Sequence, residues 1–215
     1  MERIKRLLES KAPTKWLFYG DSITHGALHT FGARDYTQHF SERVRHELAR
    51  GDDIVLNTAI SGSTTRDLLS GFSWRVEQSR PHVVFLMIGT NDSSVERNVE
   101  QGEFERNLHD LCRRIDEIGG VPVLQTACPI LKGTAPDREA GFPVYMEIIR
   151  RVACESRVPL IDHETYWRAN EKQRFFWMSD PLHPNSFGHI VFSKFLFESL
   201  GILDPVSPVC RLFVP

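Results

Sequence analysis

What this sequence has little of narrows its function first. Only four cysteines occur, Cys112, Cys128, Cys154 and Cys210, with no C-x-x-C pair among them. That is neither a disulfide framework nor a zinc pattern, and reduced thiols in a cytoplasmic protein are the expectation. Neither sign of charge is in excess: 26 Lys+Arg against 28 Asp+Glu leave a formal net of -2. Broad electrostatic capture of nucleic acid or of an anionic membrane is therefore not expected. Long apolar runs are missing as well. Val83 to Ile88, and Val191 to Leu196 with Ser193 and Lys194 inside it, fall far short of the roughly 20 residues a membrane helix needs. The stretch Met1 to Ser10 carries charges throughout and no apolar segment, so it does not read as a signal peptide. Repeats and low-complexity runs are absent and no shift in composition marks a boundary, so residues 1–215 are expected to form a single domain.

The composition that is present is globular, 41% apolar and 10% aromatic. A chain this long buries about 70% of the surface its unfolded form exposes, enough to fold without metal or disulfide. Short apolar runs alternate with longer segments of helical period. Trp16 to Tyr19, Ile54 to Leu56, Val83 to Ile88, Val121 to Leu124 and Val158 to Ile161 read as parallel strands buried on both faces. Between them, Tyr36 to Ala49 sets Phe40, Val44 and Leu48 on one helix face, and Thr65 to Gln78 does the same with Leu68, Leu69, Phe72 and Val76. Phe104, Leu108, Leu111, Ile115 and Ile118 form the clearest stripe, closed by Gly119-Gly120; Val144 to Cys154 and Phe187 to Leu200 complete the set. Five strands alternating with helices predict an α/β fold, a three-layer α/β/α sandwich of flavodoxin-like, doubly wound type with a mainly parallel sheet. The tail from Asp204 to Cys210, with two prolines, is expected to run over the surface as an irregular strap.

In such a sheet ligands bind beyond the C-terminal ends of the strands. Those places hold Gly20-Asp21-Ser22-Ile23-Thr24 after the first strand, Ser61-Gly62-Ser63 after the second and Gly89-Thr90-Asn91-Asp92 after the third. Asp180-Pro181-Leu182-His183 opens the last helix. A serine hydroxyl becomes a useful nucleophile when a base takes its proton during attack. Ser22 follows a buried strand, a rigid mount for its Oγ. Imidazole, with an ordinary pKa of about 6.5, suits proton exchange near neutrality, which makes His183 the candidate base. Asp180, three residues earlier, would hold the imidazole tautomer and stabilise the imidazolium.

These four blocks, in this order, resemble the SGNH or GDSL-like esterases and lipases, with Ile23 where the family name has Leu. The resemblance implies Ser22, Asp180 and His183 as catalytic residues. It also implies an oxyanion hole formed by the backbone N–H groups of Ser22 and Gly62 and the side-chain amide of Asn91. It implies acyl transfer from a small-molecule ester to Ser22 and then to water, with short acyl groups such as acetyl, on carbohydrates among other alcohols. No cofactor is expected. Lipase or lysophospholipase activity on the same site is the nearest alternative. A non-catalytic flavodoxin-like ligand-binding module would need neither Asp180 nor His183, and neither a G-x-x-x-x-G-K-[ST] nor a G-x-G-x-x-G is present. An α/β-hydrolase proper wants G-x-S-x-G, and Thr24 breaks that match.

Other residues near these blocks receive plainer readings. Asp21 and Asp92 are expected to brace loops through backbone hydrogen bonds. His25 and His29 have i, i+4 spacing, but Gly26 and Gly32 argue for a loop and no H-E-x-x-H is present, so no metal site is expected. His163 follows a strand end without an Asp-x-x-His relation. The aromatic segment from Tyr166-Trp167 to Phe175-Phe176-Trp177 either walls a pocket or packs the core. Phe31, Arg34, Ile130 and Leu131 are further candidates for the pocket wall.

Overall fold

The computed structural model describes residues 1–215. Helix α1 (Glu2–Glu9) leads into β1 (Lys15–Gly20), α2 (Ser22–His25), α3 (Tyr36–Ser41), β2 (Ile54–Asn57), α4 (Thr65–Arg75) and β3 (Val83–Met87). There follow α5 (Gln101–Glu117), β4 (Val121–Gln125), α6 (Phe142–Glu155), β5 (Leu160–Ile161), α7 (His163–Ala169), α8 (Glu171–Arg174) and α9 (Ser186–Leu200). The five strands make one sheet in the order β2-β1-β3-β4-β5, every neighbouring pair parallel. This is the flavodoxin-like order, in which the winding of strands across the sheet reverses at the boundary between β1 and β3. Helices α4, α5 and α6 pack in a row on one face, and α3, α7 and α9 on the other.

Burial explains the strand sequences. Every residue of β3 and β4 and all of β1 after Lys15 are buried, so both faces of these central strands require apolar side chains. Trp16, Phe18, Phe40 and Phe85 meet there, Phe18 stacked on Phe85 at 4.7 Å. At the edge, β2 is half exposed, and β5 pairs through only two residues. The fourth connection thus delivers a shorter strand than the run Val158 to Ile161 predicts. The α5 stripe is buried at Phe104, Leu108, Leu111 and Ile115, as its period requires.

Two expected helices are broken in ways that have local causes. After α3 the chain opens into a π-helical turn, Glu42–Glu47, with the Leu48 N–H bonded to the Arg43 carbonyl at 2.9 Å. The wider turn directs Arg43 to the Ile202 carbonyl at 2.8 Å, and Glu47 accepts from the Val209 N–H at 3.0 Å and from the Ser207 hydroxyl. The C-terminal strap is thereby pinned to the helix layer. Helix α4 ends at Arg75, whose guanidinium turns inward to the Thr58 carbonyl at 2.9 Å, and a 3₁₀ turn carries Glu77–Ser79.

Candidate active site

Gly20 closes β1 where the chain lies hard against β3. A Cβ at this position would stand 2.2 Å from the Met87 carbonyl oxygen, so only glycine fits. Asp21 then caps α2, its Oδ1 accepting from the Ile23 N–H at 3.0 Å, and Gly26 ends the helix in a left-handed conformation. Ser22 is the first residue of that short helix, so its own N–H has no intrahelical acceptor.

Asp180 and His183 arrive on the segment that enters α9. Asp180 Oδ1 accepts from the N–H groups of Leu182 and His183, both at 2.8 Å, which folds the intervening residues into a tight turn. The Asp180 carboxylate oxygens are 2.9 and 2.8 Å from His183 Nδ1. The other ring nitrogen, Nε2, lies 2.8 Å from Ser22 Oγ. With the Nδ1–H donated to Asp180, Nε2 is free to accept the Ser22 hydroxyl hydrogen. Burial pushes the Asp180 carboxyl up, but the hydrogen bonds from Leu182 and His183 outweigh it and hold the group below its ordinary range. Asn185 fixes the segment, donating to the carbonyls of Phe176 and Met178 and capping α9 with its own oxygen.

Gly62 and Asn91 lie beyond the ends of β2 and β3, the two strands that flank β1 in the sheet. Gly62 sits at φ 81, and its N–H donates to no group of the chain. Asn91 spends one amide hydrogen on the Ser63 carbonyl at 2.9 Å, which leaves the second unused. Its oxygen accepts from Arg138 at 3.4 Å, so the amide cannot flip without losing both bonds. Arg138 is itself paired with Asp137 at 2.9 Å, and sequence reasoning gave no sign of it because it comes from the irregular loop after β4.

The bracing role expected of Asp21 and Asp92 matches their bonds. Asp92 Oδ1 accepts from the Thr65 N–H at 2.8 Å and the Thr65 hydroxyl at 2.6 Å, which ties the end of β3 to the start of α4. Burial pushes the Asp21 carboxyl up to about 7 and that of Asp92 up to about 6. Each keeps one oxygen without a hydrogen-bond partner in the chain.

The remaining histidines divide. His25 bonds the Ser61 hydroxyl through Nδ1 at 3.0 Å and does not meet His29 through a helix, because Gly26 ends α2 between them. His29 instead lies against His183, a neighbour that no spacing in the sequence signalled. The ligand atoms of His29, Asp180 and His183 lie within 4.8 Å of one another, but hydrogen bonding already occupies the Asp180–His183 pair. His163 is fully buried against Phe192, and burial pushes its imidazole down to about 3, which makes it a core residue.

The aromatic segment is mostly structural. Trp167 packs between Trp177 at 5.1 Å and Phe192 at 5.0 Å, and Tyr166 stacks on Phe195. Phe175 and Phe176 are exposed, as is Phe31, while Arg34 pairs with Glu42 at 3.1 Å and Ile130 is buried. Beside His183 is a shallow cleft of about 370 Å³, lined by Thr134 to Asp137 on one side and Asp180 to His183 on the other. A larger cavity of about 530 Å³, lined among others by Arg3 and Pro122, opens at the N-terminal end of β4, away from this chemistry.

Comparison with known proteins bears on the site as a whole. The model of the GDSL-like Lipase/Acylhydrolase family matches residues 18–190. An acetylxylan esterase of Geobacillus stearothermophilus is 26% identical over 87% of this chain and 94% of its own. The lipoprotein YqeF of Bacillus subtilis (strain 168), itself uncharacterized, is 28% identical over 67% of this chain and 68% of its own. Among solved structures, LAE5, an alpha/beta hydrolase enzyme from the metagenome of Lake Arreo in Spain, superposes with a TM-score of 0.73 at 26% identity, covering 90% of this chain and 97% of that one. Axe2, an acetylxylan esterase from Geobacillus stearothermophilus, gives 0.72 at 25% identity, with 87% of this chain and 94% of that one covered. No helix is long and apolar enough to cross a membrane.

Proposed function

Because the chain belongs to the GDSL-like lipase/acylhydrolase family and is an ester-hydrolysing enzyme, we propose that it cleaves short acyl esters, acetylated carbohydrates foremost, through an acyl-enzyme on Ser22. The observation that carries this reading is the bonded chain from Ser22 Oγ through His183 to Asp180, at 2.8 Å on either side of the imidazole. His183 Nε2 takes the hydroxyl proton as Oγ attacks the carbonyl carbon. The same proton then goes to the departing alkoxide as the ester C–O bond breaks. Water repeats the sequence in the second half: its proton passes to Nε2, its oxygen bonds the acyl carbon, and Oγ leaves and recovers the proton. Asp180, ionised throughout, keeps Nδ1 protonated and offsets the imidazolium charge.

The N–H groups of Ser22 and Gly62 and the second hydrogen of Asn91 are the donors for the tetrahedral oxyanion. The small open cleft beside His183 suits an acyl group of few carbons and an alcohol that extends into solvent. The likeness to an acetylxylan esterase over most of both chains supports acetylated sugars as the substrate class.

A substrate panel tests the reading: acetyl to octanoyl esters, acetylated xylo-oligosaccharides and lysophospholipids, with Ser22→Ala as control. The expected result is a steep loss of kcat/KM beyond acetyl, deacetylation of the sugars and no turnover by Ser22→Ala. A preference for long chains would move the enzyme to the lipases, and an active Ser22→Ala would remove the nucleophile from the proposal.

A further inference from the structure

The ring of His29 is stacked face to face on that of His183, with centroids 3.7 Å apart and planes 2° from parallel. Its Nδ1 lies 3.3 Å from Asp180 Oδ2, the oxygen that His183 Nδ1 approaches at 2.8 Å. The Ser179 hydroxyl is 3.5 Å from the same His29 nitrogen. Two imidazoles therefore share one carboxylate. The loop that presents His29 holds Leu28 at φ 70 and Phe31 at φ 52, left-handed conformations that bulky residues adopt only at a cost. Both side chains point to solvent, 85% and 81% exposed, so their own burial offsets nothing. What the strained loop delivers is His29 against the ring of His183.

We propose that His29 is a positioning residue of the hydrolytic site, which as a neutral ring braces His183 and the Asp180 carboxylate and which, once protonated, switches the site off. This rests on the reading of His183 as general base. Proton transfer from Ser22 turns His183 into an imidazolium, and a neutral stacked ring presents a polarisable face to that cation. A protonated His29 would instead set two like charges face to face and compete for Asp180.

The groups that face His29 are Asp180, His183 and the Ser179 hydroxyl from the segment before α9, with His189 from α9 itself. Burial and the nearness of His183 hold the His29 imidazole below its ordinary range, against the opposing pull of Asp180. His189 is buried, and burial pushes its imidazole down to about 3, so it stays uncharged near neutral pH. Asp180, held below its ordinary range, stays ionised. Two protons, shared by the coupled pair His29 and His183, then govern the acid side of the rate profile.

The test is kcat and KM for p-nitrophenyl acetate from about pH 4 to about pH 9, in wild type, His29→Phe, His29→Gln and His29→Ala, with His183→Ala as reference for the base. In wild type, log(kcat/KM) should fall with unit slope as the pair takes its first proton and steepen toward a slope of two as it takes the second. In His29→Phe, which keeps an aromatic face but takes no proton, the slope should be one. On the alkaline plateau His29→Ala should lose about tenfold in kcat with KM little changed, and His29→Phe less. Far-UV circular dichroism shows which variants fold, and Phe and Gln carry the test if Ala does not. A wild-type slope that stays at one down to about pH 4, or a slope of two that persists in His29→Phe, would overturn the proposal. A fully active His183→Ala would instead overturn the assignment of the base. An inactive His183→Ala beside a His29→Phe of wild-type acid profile would remove this inference alone.

Discussion

Asn91 donates its side-chain amide to the Ser63 carbonyl at 2.9 Å, which ties the loop after β3 to the loop that carries Gly62. Two of the proposed oxyanion donors are thus held by one hydrogen bond. Asn91→Ala should lower kcat by about 10²–10³ while changing KM little, because the lost interaction forms with the charge of the transition state. Asn91→Asp should be worse still, since it sets a carboxylate where negative charge develops. Steady-state kinetics on an acetyl ester decide both.

The base and its orienter should differ in cost. His183→Ala removes the only proton acceptor bonded to Ser22 and should cut kcat by about 10⁴-fold or more. Asp180→Ala should fall less far, since an imidazole without its carboxylate still accepts a proton weakly. Asp180→Asn keeps an acceptor for the N–H groups of Leu182 and His183, so it separates loss of the turn from loss of the charge. If Asn and Ala variants are equally slow, the charge and tautomer matter more than the turn.

Asp21 makes stability depend on pH. Its folded pKa of about 7 lies above the ordinary carboxylate value of 3.8, so the folded protein holds a proton that the unfolded chain releases. The contribution is present in full below about pH 4 and is lost as pH rises toward 7. Asp21→Asn keeps an acceptor for the Ile23 N–H and removes the titration. Its Tm should therefore gain on wild type progressively between about pH 4 and pH 7, measured by thermal unfolding across that range. A constant difference would show that Asp21 does not titrate there.

Trp167 should matter to the fold and not to the substrate. It is fully buried between Trp177 and Phe192, so Trp167→Ala should cost about 3–5 kcal/mol in denaturant unfolding. The ratio of kcat/KM values for acetyl and butyryl esters should be unchanged at a temperature where the variant is folded. A shifted ratio would place the ring in the acyl pocket.

The central strands were legible because a strand buried on both faces must be apolar throughout, as Val83 to Met87 is. Their order across the sheet came with the flavodoxin-like type that alternating strands and helices predict, since nothing in the β1 residues themselves says which strand lies on either side. The blocks around Ser22, Gly62, Asn91 and Asp180–His183 could be placed at strand or helix ends, because glycine, serine and asparagine after apolar runs mark turns. The π-helical turn at Glu42–Glu47 was hidden, because the apolar spacing of Phe40, Val44 and Leu48 is that of an ordinary helix and the cause lies in the distant strap. His29 was invisible for a similar reason. Its partner is 154 residues away by number (His183 less His29), and its place depends on backbone angles that periodicity does not encode. Trp167 and Trp177 could not be assigned to core or pocket, since both environments select the same side chains.

The bond between Ser22 and His183 joins residues 161 positions apart. One partner is mounted on the first strand and the other on the turn into the last helix, so nearly the whole chain must be threaded before the two atoms meet. Closing so long a loop is entropically costly, and the bond is expected to form late in assembly. Ester hydrolysis by this protein should therefore report the end of folding, since a chain that has not seated the turn into α9 lacks the Ser22–His183 bond. Recovery of activity during refolding should trail the recovery of helical signal.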